Sequence, residues 1–216
     1  MAPVFSAAWV AFDFYIFAMS WQPEFCRVHD ESYPGCHHGA PYWTTHFTVH
    51  GLWPERRAGP SPRSCSTEAF DRAVVDKVGR SRLIKLWPDV KYDPSSSHYD
   101  QFWAHEWTKH GTCSGLSQRD YFESALESYV PTPALVQMAE GAKVPKKELI
   151  SAYGGSDMVA LVCDARRYLS EVRVCIGKDE DGKATGRIPC NEGVLREANC
   201  SEDEVFISTF PHAGVE

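Results

Sequence analysis

The sequence predicts an α+β fold on three observations. Segments with strand character and segments with helix character alternate along the chain without the regular spacing of βαβ units. The strand-like segments, "FDFYIFAMSW" first among them, are short, rich in aromatic or alternating apolar residues, and bounded by turn residues. Eight cysteines (26, 36, 65, 113, 163, 175, 190 and 200) are scattered with no CxxC pair, so the usual zinc and thioredoxin spacings are absent and disulfide staples are expected.

In chain order, the first strand ends at Pro23, and Gln22 to Pro41 reads as a cysteine-bearing loop. "YWTTHFTVHGLWP" alternates bulky and small residues from Tyr42 to Val49, which predicts a strand with His50 at its end. After the turn-rich "ERRAGPSPRSC", Thr67 before Glu68 and the spacing of Phe70, Val74, Val75 and Val78 predict a short amphipathic helix. "DPSSSHYDQ" is a loop leading into "FWAHEWTKHGTC", a helix stopped by Gly111. "SQRDYFESALESYV" is a helix stopped before Pro131, and "KKELISAYG" is another. Two strands are expected around "MVALVCD" and "LSEVRVCIGKD".

With 216 residues, 43% of them hydrophobic, the chain is long enough for one substantial core, and residues 7–216 are expected to form a single domain. Residues 1–6 are expected to be a cloning remnant or a disordered N-terminus. The apolar N-terminal stretch lacks a basic start and is broken by Asp13, so it reads as mature chain rather than as a signal peptide. No uncharged apolar run reaches the roughly 18 residues of a spanning helix, so no membrane partner is expected. Disulfides imply an oxidising compartment, secreted or along the secretory and endolysosomal route. Asn199-Cys200-Ser201 matches a glycosylation sequon.

The formal net charge of −7 excludes a protein that holds nucleic acid by a broad basic field. Protonating the nine histidines would turn −7 into +2, so an acidic environment removes the repulsion from a polyanionic substrate.

The candidate chemistry lies in "FWAHEWTKHGTC". On an ideal helix with His105 at zero, Lys109 falls at about 40°, Phe102 at about 60°, Glu106 at about 100° and His110 at about 140°. Trp103 and Trp107 anchor the adjoining face. A zinc site of the H-E-x-x-H kind needs histidines four residues apart, whereas these are five apart, and no metal or other cofactor is expected. Paired imidazoles with a cation and a carboxylate suit RNA cleavage, in which the 2′-hydroxyl is the nucleophile. One imidazole takes the 2′-proton, another protonates the departing 5′-oxygen, and a lysine offsets charge on phosphorus. Acid and base must stand on opposite sides of an in-line geometry, so a second element should supply one of them, and His50 is the candidate. His46, two alternations earlier, would share its strand face. His29, His37, His38, His98 and His212 read as surface or loop residues.

"HGLWPE" at His50 to Glu55 and "FWAHEWTKHGTC" together resemble the two active-site segments of the ribonuclease T2 family. "FDFYIFAMSWQPEFC" is similar to the family's first strand and "CSEDEVFISTF" to the C-terminal strand of its plant members. The resemblance implies a central antiparallel sheet flanked by several helices, secretion or delivery to a vacuole or lysosome, and an acid optimum. It also implies a monomeric endoribonuclease acting on single-stranded RNA through a 2′,3′-cyclic phosphate. It assigns His110 as general base, His50 as general acid, His105 to the phosphate, and Glu106 with Lys109 to the transition state. It implies the pairings Cys26–Cys36, Cys65–Cys113, Cys163–Cys200 and Cys175–Cys190. Trp53 and Phe102 match positions that stack on bases. Ser20 stands where a base-contacting glutamine is common, Asp89 in a variable base-site position, and Glu55 where an aspartate reads adenine in some members, so uridine preference is not expected. The competing reading is an inactive RNA-binding or storage protein on the same scaffold.

Overall fold

The computed structural model describes residues 11–29, 32–139 and 141–211. The expectations for residues 1–6 and for His212 lie outside them. The strands are β1 (Phe14–Ser20), β2 (Thr48–Glu55), β3 (Lys143–Pro145), β4 (Ala160–Cys163), β5 (Leu169–Lys178), β6 (Ala184–Ile188) and β7 (Glu204–Phe206). The helices are α1 (Gln22–Val28), α2 (Pro34–His37), α3 (Pro41–Thr45), α4 (Arg72–Leu86), α5 (Gln101–Lys109), α6 (Gln118–Glu127), α7 (Ala134–Gln137), α8 (Lys146–Ala152) and α9 (Glu192–Leu195). The main sheet runs β2-β1-β5-β4, with β6 also paired to β5, and every pairing in it is antiparallel. Strands β3 and β7 form a second, two-stranded antiparallel sheet. Among the described residues no helix is long and apolar enough to cross a membrane.

Alternation along β1 divides the molecule. Tyr15, Phe17 and Met19 enter the large core with Val172 and Val174 of β5, while Phe14 and Ile16 face the other side with Cys175 and Trp53. Four tryptophans fill the large core (Trp21, Trp87, Trp103 and Trp107). Three of their ring nitrogens are hydrogen-bonded: Trp21 donates to Ser208 O at 2.8 Å, Trp103 to Trp87 O at 2.8 Å and Trp107 to Glu68 O at 3.3 Å, while the buried Trp87 Nε1 has no hydrogen-bond partner among the described residues.

Several elements differ from the sequence reading. Residues Pro41–Thr45 form a helical turn, not a strand; a proline at the first helical position fits the turn, and the Tyr42 and His46 rings stack across it at 4.2 Å. The strand starts at Thr48 and continues through Glu55, so His50 is inside it rather than at its end. His46 consequently leaves the alternation and does not share the face of His50. The loop expected from Gln22 to Pro41 contains two short helices, α1 and α2, each opened by a proline, Pro23 or Pro34. Helix α4 starts at Arg72, capped by the Asp71 carboxylate accepting from Ala73 N, and not near Thr67; Phe70 precedes it. His29, His37, His38 and His98 are exposed as expected.

All eight cysteines are paired as the family resemblance implies: Cys26–Cys36, Cys65–Cys113, Cys163–Cys200 and Cys175–Cys190. The Cys65–Cys113 bridge closes a 48-residue separation and ties the segment after β2 to the end of α5, where Ser64 N also donates to Lys109 O at 2.9 Å. Replacing both Cys65 and Cys113 by alanine is expected to cost about 2–4 kcal/mol in urea unfolding. An unchanged midpoint would show that the bridge adds nothing to the packing around it.

Candidate active site

Strand β2 places its residues through an irregularity. In the pairing with β1, Val49 faces Met19 and Gly51 faces Ala18, so His50 is the extra residue of a β-bulge. Because of the bulge, Val49 and Leu52, three residues apart, both enter the large core, and the His50 and Trp53 rings meet edge to face at 5.0 Å outside it. Strand β2 is an edge of the main sheet, and Tyr121 OH covers part of it by donating to Leu52 O at 3.0 Å.

Helix α5 packs beside this edge. Trp103 and Trp107 are buried in the core, which fixes the rotation of the helix and turns Phe102, His105, Glu106 and Lys109 to one cleft. The helix ends at Lys109, and His110 caps it. Gly111 follows because a β-carbon there would overlap the Trp107 ring; close packing, not a left-handed backbone, requires the glycine. Gly51 is required in the same way: a β-carbon would collide with both Trp53 Nε1 and Glu106 Oε2, which are joined by a 2.8 Å hydrogen bond donated by the indole.

The cleft has a volume of about 640 Å³, and all ten candidate residues line it: His50, His105, Glu106, Lys109 and His110, with Ser20, Trp53, Glu55, Asp89 and Phe102. The Phe102 ring lies 5.8 Å from that of His50, and the Trp53 ring stacks 5.2 Å from His110. Trp53 is thus engaged by His50, His110 and Glu106 at once. Glu55 accepts from Arg56 N at 2.8 Å and from Ser61 Oγ at 2.6 Å, so its carboxylate orders the following loop. Asp89 is buried and accepts from Lys91 N at 3.1 Å; burial raises its pKa, partly offset by that bond. Among the described residues no group of three or more His, Cys, Asp or Glu could hold a metal ion.

The environments of the two buried-edge histidines diverge. Burial opposes charge on His50, yet its Nδ1–H donates to Glu171 Oε2 at 2.5 Å, and the Glu171 and Glu106 carboxylates raise its pKa above the ordinary value. His110 is only 6% exposed; burial, then the charges of Lys109 and Arg63, push it down to about 3. His105 is exposed, and is lowered by partial burial and by Lys109. Burial also raises the pKa of Glu106, against the Trp53 hydrogen bond and the His50 charge.

Sequence reasoning did not single out Glu171, Arg173 or Arg63. Glu171 is 7% exposed on β5; Arg173 and Arg63 line the cleft. Glu171 and Arg173 are alternate charged positions in the apolar middle of the strand, which was a visible signal, but the sequence does not say that β5 lies next to β1.

The fold and this cleft define a ribonuclease-type scaffold, and the comparison with known proteins names it. The Ribonuclease T2 family model matches residues 12–186, and the chain belongs to that family. It is similar to a ribonuclease of Aeromonas hydrophila, 27% identical over 97% of this chain and 94% of that protein. Intracellular ribonuclease LX of Solanum lycopersicum is 38% identical, in an alignment spanning 54% of this chain and about half (47%) of the tomato protein. Among solved structures, ribonuclease MC1 from bitter gourd seeds aligns with a TM-score of 0.65 and 26% identity, over 90% of this chain and 100% of that one. A variant of the same enzyme in complex with 5′-GMP aligns with a TM-score of 0.66 and 27% identity, over 91% of this chain and 100% of that one.

The depressed pKa of His110 has a consequence for folding. The unfolded chain takes up a proton at His110 near the ordinary value, whereas the folded chain does so only near about 3, so acidification from pH 7 to 4 costs stability. The variant His110→Gln should lose less stability than the wild type over that interval, read as the change in urea midpoint. Equal losses would contradict the burial of a neutral imidazole.

Proposed function

We propose that this protein is an endoribonuclease that cleaves single-stranded RNA by metal-independent transphosphorylation, through a 2′,3′-cyclic phosphate that is then hydrolysed to a 3′-phosphate. One observation carries the reading: His50 from β2 and His110 at the end of α5 contact the same Trp53 ring in one cleft, with Lys109 between the two helix histidines in sequence. Family membership supports it independently.

In the first step His110, neutral in its buried place, accepts the 2′-hydroxyl proton. The 2′-oxygen attacks phosphorus. His50, held protonated, delivers its Nε2 proton to the departing 5′-oxygen. Lys109 offsets the charge that builds on the phosphoryl oxygens, and exposed His105 holds the phosphate. Glu106, whose pKa burial raises and whose Oε2 accepts from the Trp53 indole, lines the same cleft and favours the charged form of His50. In the second step the roles exchange: His50 draws a proton from water and His110 returns one to the 2′-oxygen.

The base-binding residues divide between two ends of the cleft. Ser20 pairs in register with Thr48 and Glu55 with Phe14, so Ser20 and Glu55 stand six positions apart along β1, about 20 Å, a span that suits two nucleotides flanking one phosphate. Ser20, Asp89 and Phe102 serve one base, and Trp53 with Glu55 the other. Ribonuclease MC1, a variant of which takes 5′-GMP, supports a nucleotide site in this fold. The four disulfides support action in the secretory pathway or a compartment it feeds.

A short RNA incubated at pH 5 in EDTA should yield cyclic-phosphate ends by mass, while its 2′-deoxy counterpart stays intact. Cleavage of both, or of neither, contradicts the mechanism. Alanine at His50 or at His110 should lower kcat by about 10²–10⁴-fold; losses below tenfold for both would remove them from the acid and base roles. The profile of kcat/KM against pH should fall on its basic side above the ordinary histidine range, where His50 loses its proton, and on its acidic side well below it, where His110 gains one. A profile flat from pH 4 to 9 would contradict the pair.

A further inference from the structure

We infer that Glu171 is a positioning residue that locks the tautomer and the charge of His50, and that Arg173 holds Glu171 in place while limiting the charge it lends. The inference rests on the reading of His50 as the general acid.

The geometry is specific. Glu171 pairs in register with Ser20 of β1 and shares the sheet face of Arg173, two residues along β5. Its two oxygens are divided: Oε2 accepts from His50 Nδ1 at 2.5 Å and Oε1 from Arg173 Nε at 2.5 Å. Arg173 is held in turn by Glu197, and its guanidinium lies 5.4 Å over the Trp53 ring. The chain Glu197, Arg173, Glu171, His50 thus runs from the rim of the cleft to the reacting nitrogen.

An ionised carboxylate only accepts hydrogen bonds, so Nδ1 of His50 keeps its proton in both charge states. Nε2 is then the atom that gives up and regains a proton, and it is the nitrogen left for substrate. A purely structural ion pair would need only Arg173 and Glu171, yet half of the carboxylate is committed to His50. The groups facing His50 are Glu171 and Arg173 from β5 and Glu106, His105 and His110 from α5 and its end, with Lys109 in the same cleft. Glu171 and Glu106 favour the imidazolium, and Arg173 opposes it.

The test compares Glu171→Gln and Arg173→Gln in the full chain, reading the His50 ring titration by NMR and the basic limb of kcat/KM on a dinucleotide. Glutamine at 171 keeps an acceptor oxygen for Nδ1 and removes the charge. Its basic limb and its His50 midpoint should both move down by about one pH unit, with KM little changed. Arg173→Gln should move both upward. Glu171→Ala, which also removes the acceptor, should lose about tenfold more plateau activity than Glu171→Gln. Shifts in the same direction for the two glutamine variants, or no shift, overturn the inference. A shifted His50 titration with an unmoved rate profile also overturns it. Should the wild type cleave no RNA, the ribonuclease reading fails instead, and the NMR midpoints alone decide whether Glu171 governs His50.

Discussion

The site depends on one hydrogen bond, from the Trp53 indole to the Glu106 carboxylate at 2.8 Å. It joins an edge strand to a helix directly over Gly51, where the two bonded side chains leave no room for a β-carbon. The buried tryptophan pair of α5 sets the rotation of the helix, and the bulge at His50 sets the turn of the strand, but this bond fixes their separation. A buried carboxyl that lost its indole partner would be left with an unpaired oxygen, a cost of about 1–3 kcal/mol or more for a charged group. The joint therefore holds the helix-borne groups beside His50, together with the Cys65–Cys113 bridge that ties the segment after β2 to the end of α5.

Two residues of one type come to differ in proton affinity through their surroundings alone. His110 sits at a helix end beside Lys109 and Arg63 with the Trp53 ring stacked on it, and burial together with those positive charges disfavours its own charge. His50 stands against the sheet face, where Glu171 is supplied by a strand two positions away in the sheet order, so carboxylates outweigh the cost of burial. The contrast between the two imidazoles is thus built by topology, and it is the contrast that the proposed division into base and acid requires: the end of α5 supplies an environment that disfavours charge on one, and β5 an environment that favours charge on the other.

Much of this was legible in the sequence. "HGLWPE" and "FWAHEWTKHGTC" carry the side chains themselves, and helical spacing already grouped His105, Glu106, Lys109 and His110 on one side. Four features were not legible. The bulge at His50 follows from the need to bury Val49 and Leu52 together, which depends on the partner strand. The helical turn at Pro41–Thr45 hid behind an alternation of large and small residues that a strand would also show. Gly111 was legible only as a helix stop, and its close contact with Trp107, like that of Gly51 with Trp53 and Glu106, needs the packed structure. Glu171 and Arg173 lay some 120 residues from His50, in a strand whose neighbour only the folded sheet defines.

The central claim is that one cleft keeps His50 charged and His110 neutral at the same pH. Titration of the histidine ring signals of the wild type by NMR, from pH 3 to 9, tests it most directly. The account predicts a His50 midpoint above the ordinary histidine value and a His110 midpoint well below it. Coincident midpoints, or His110 titrating above His50, would contradict it.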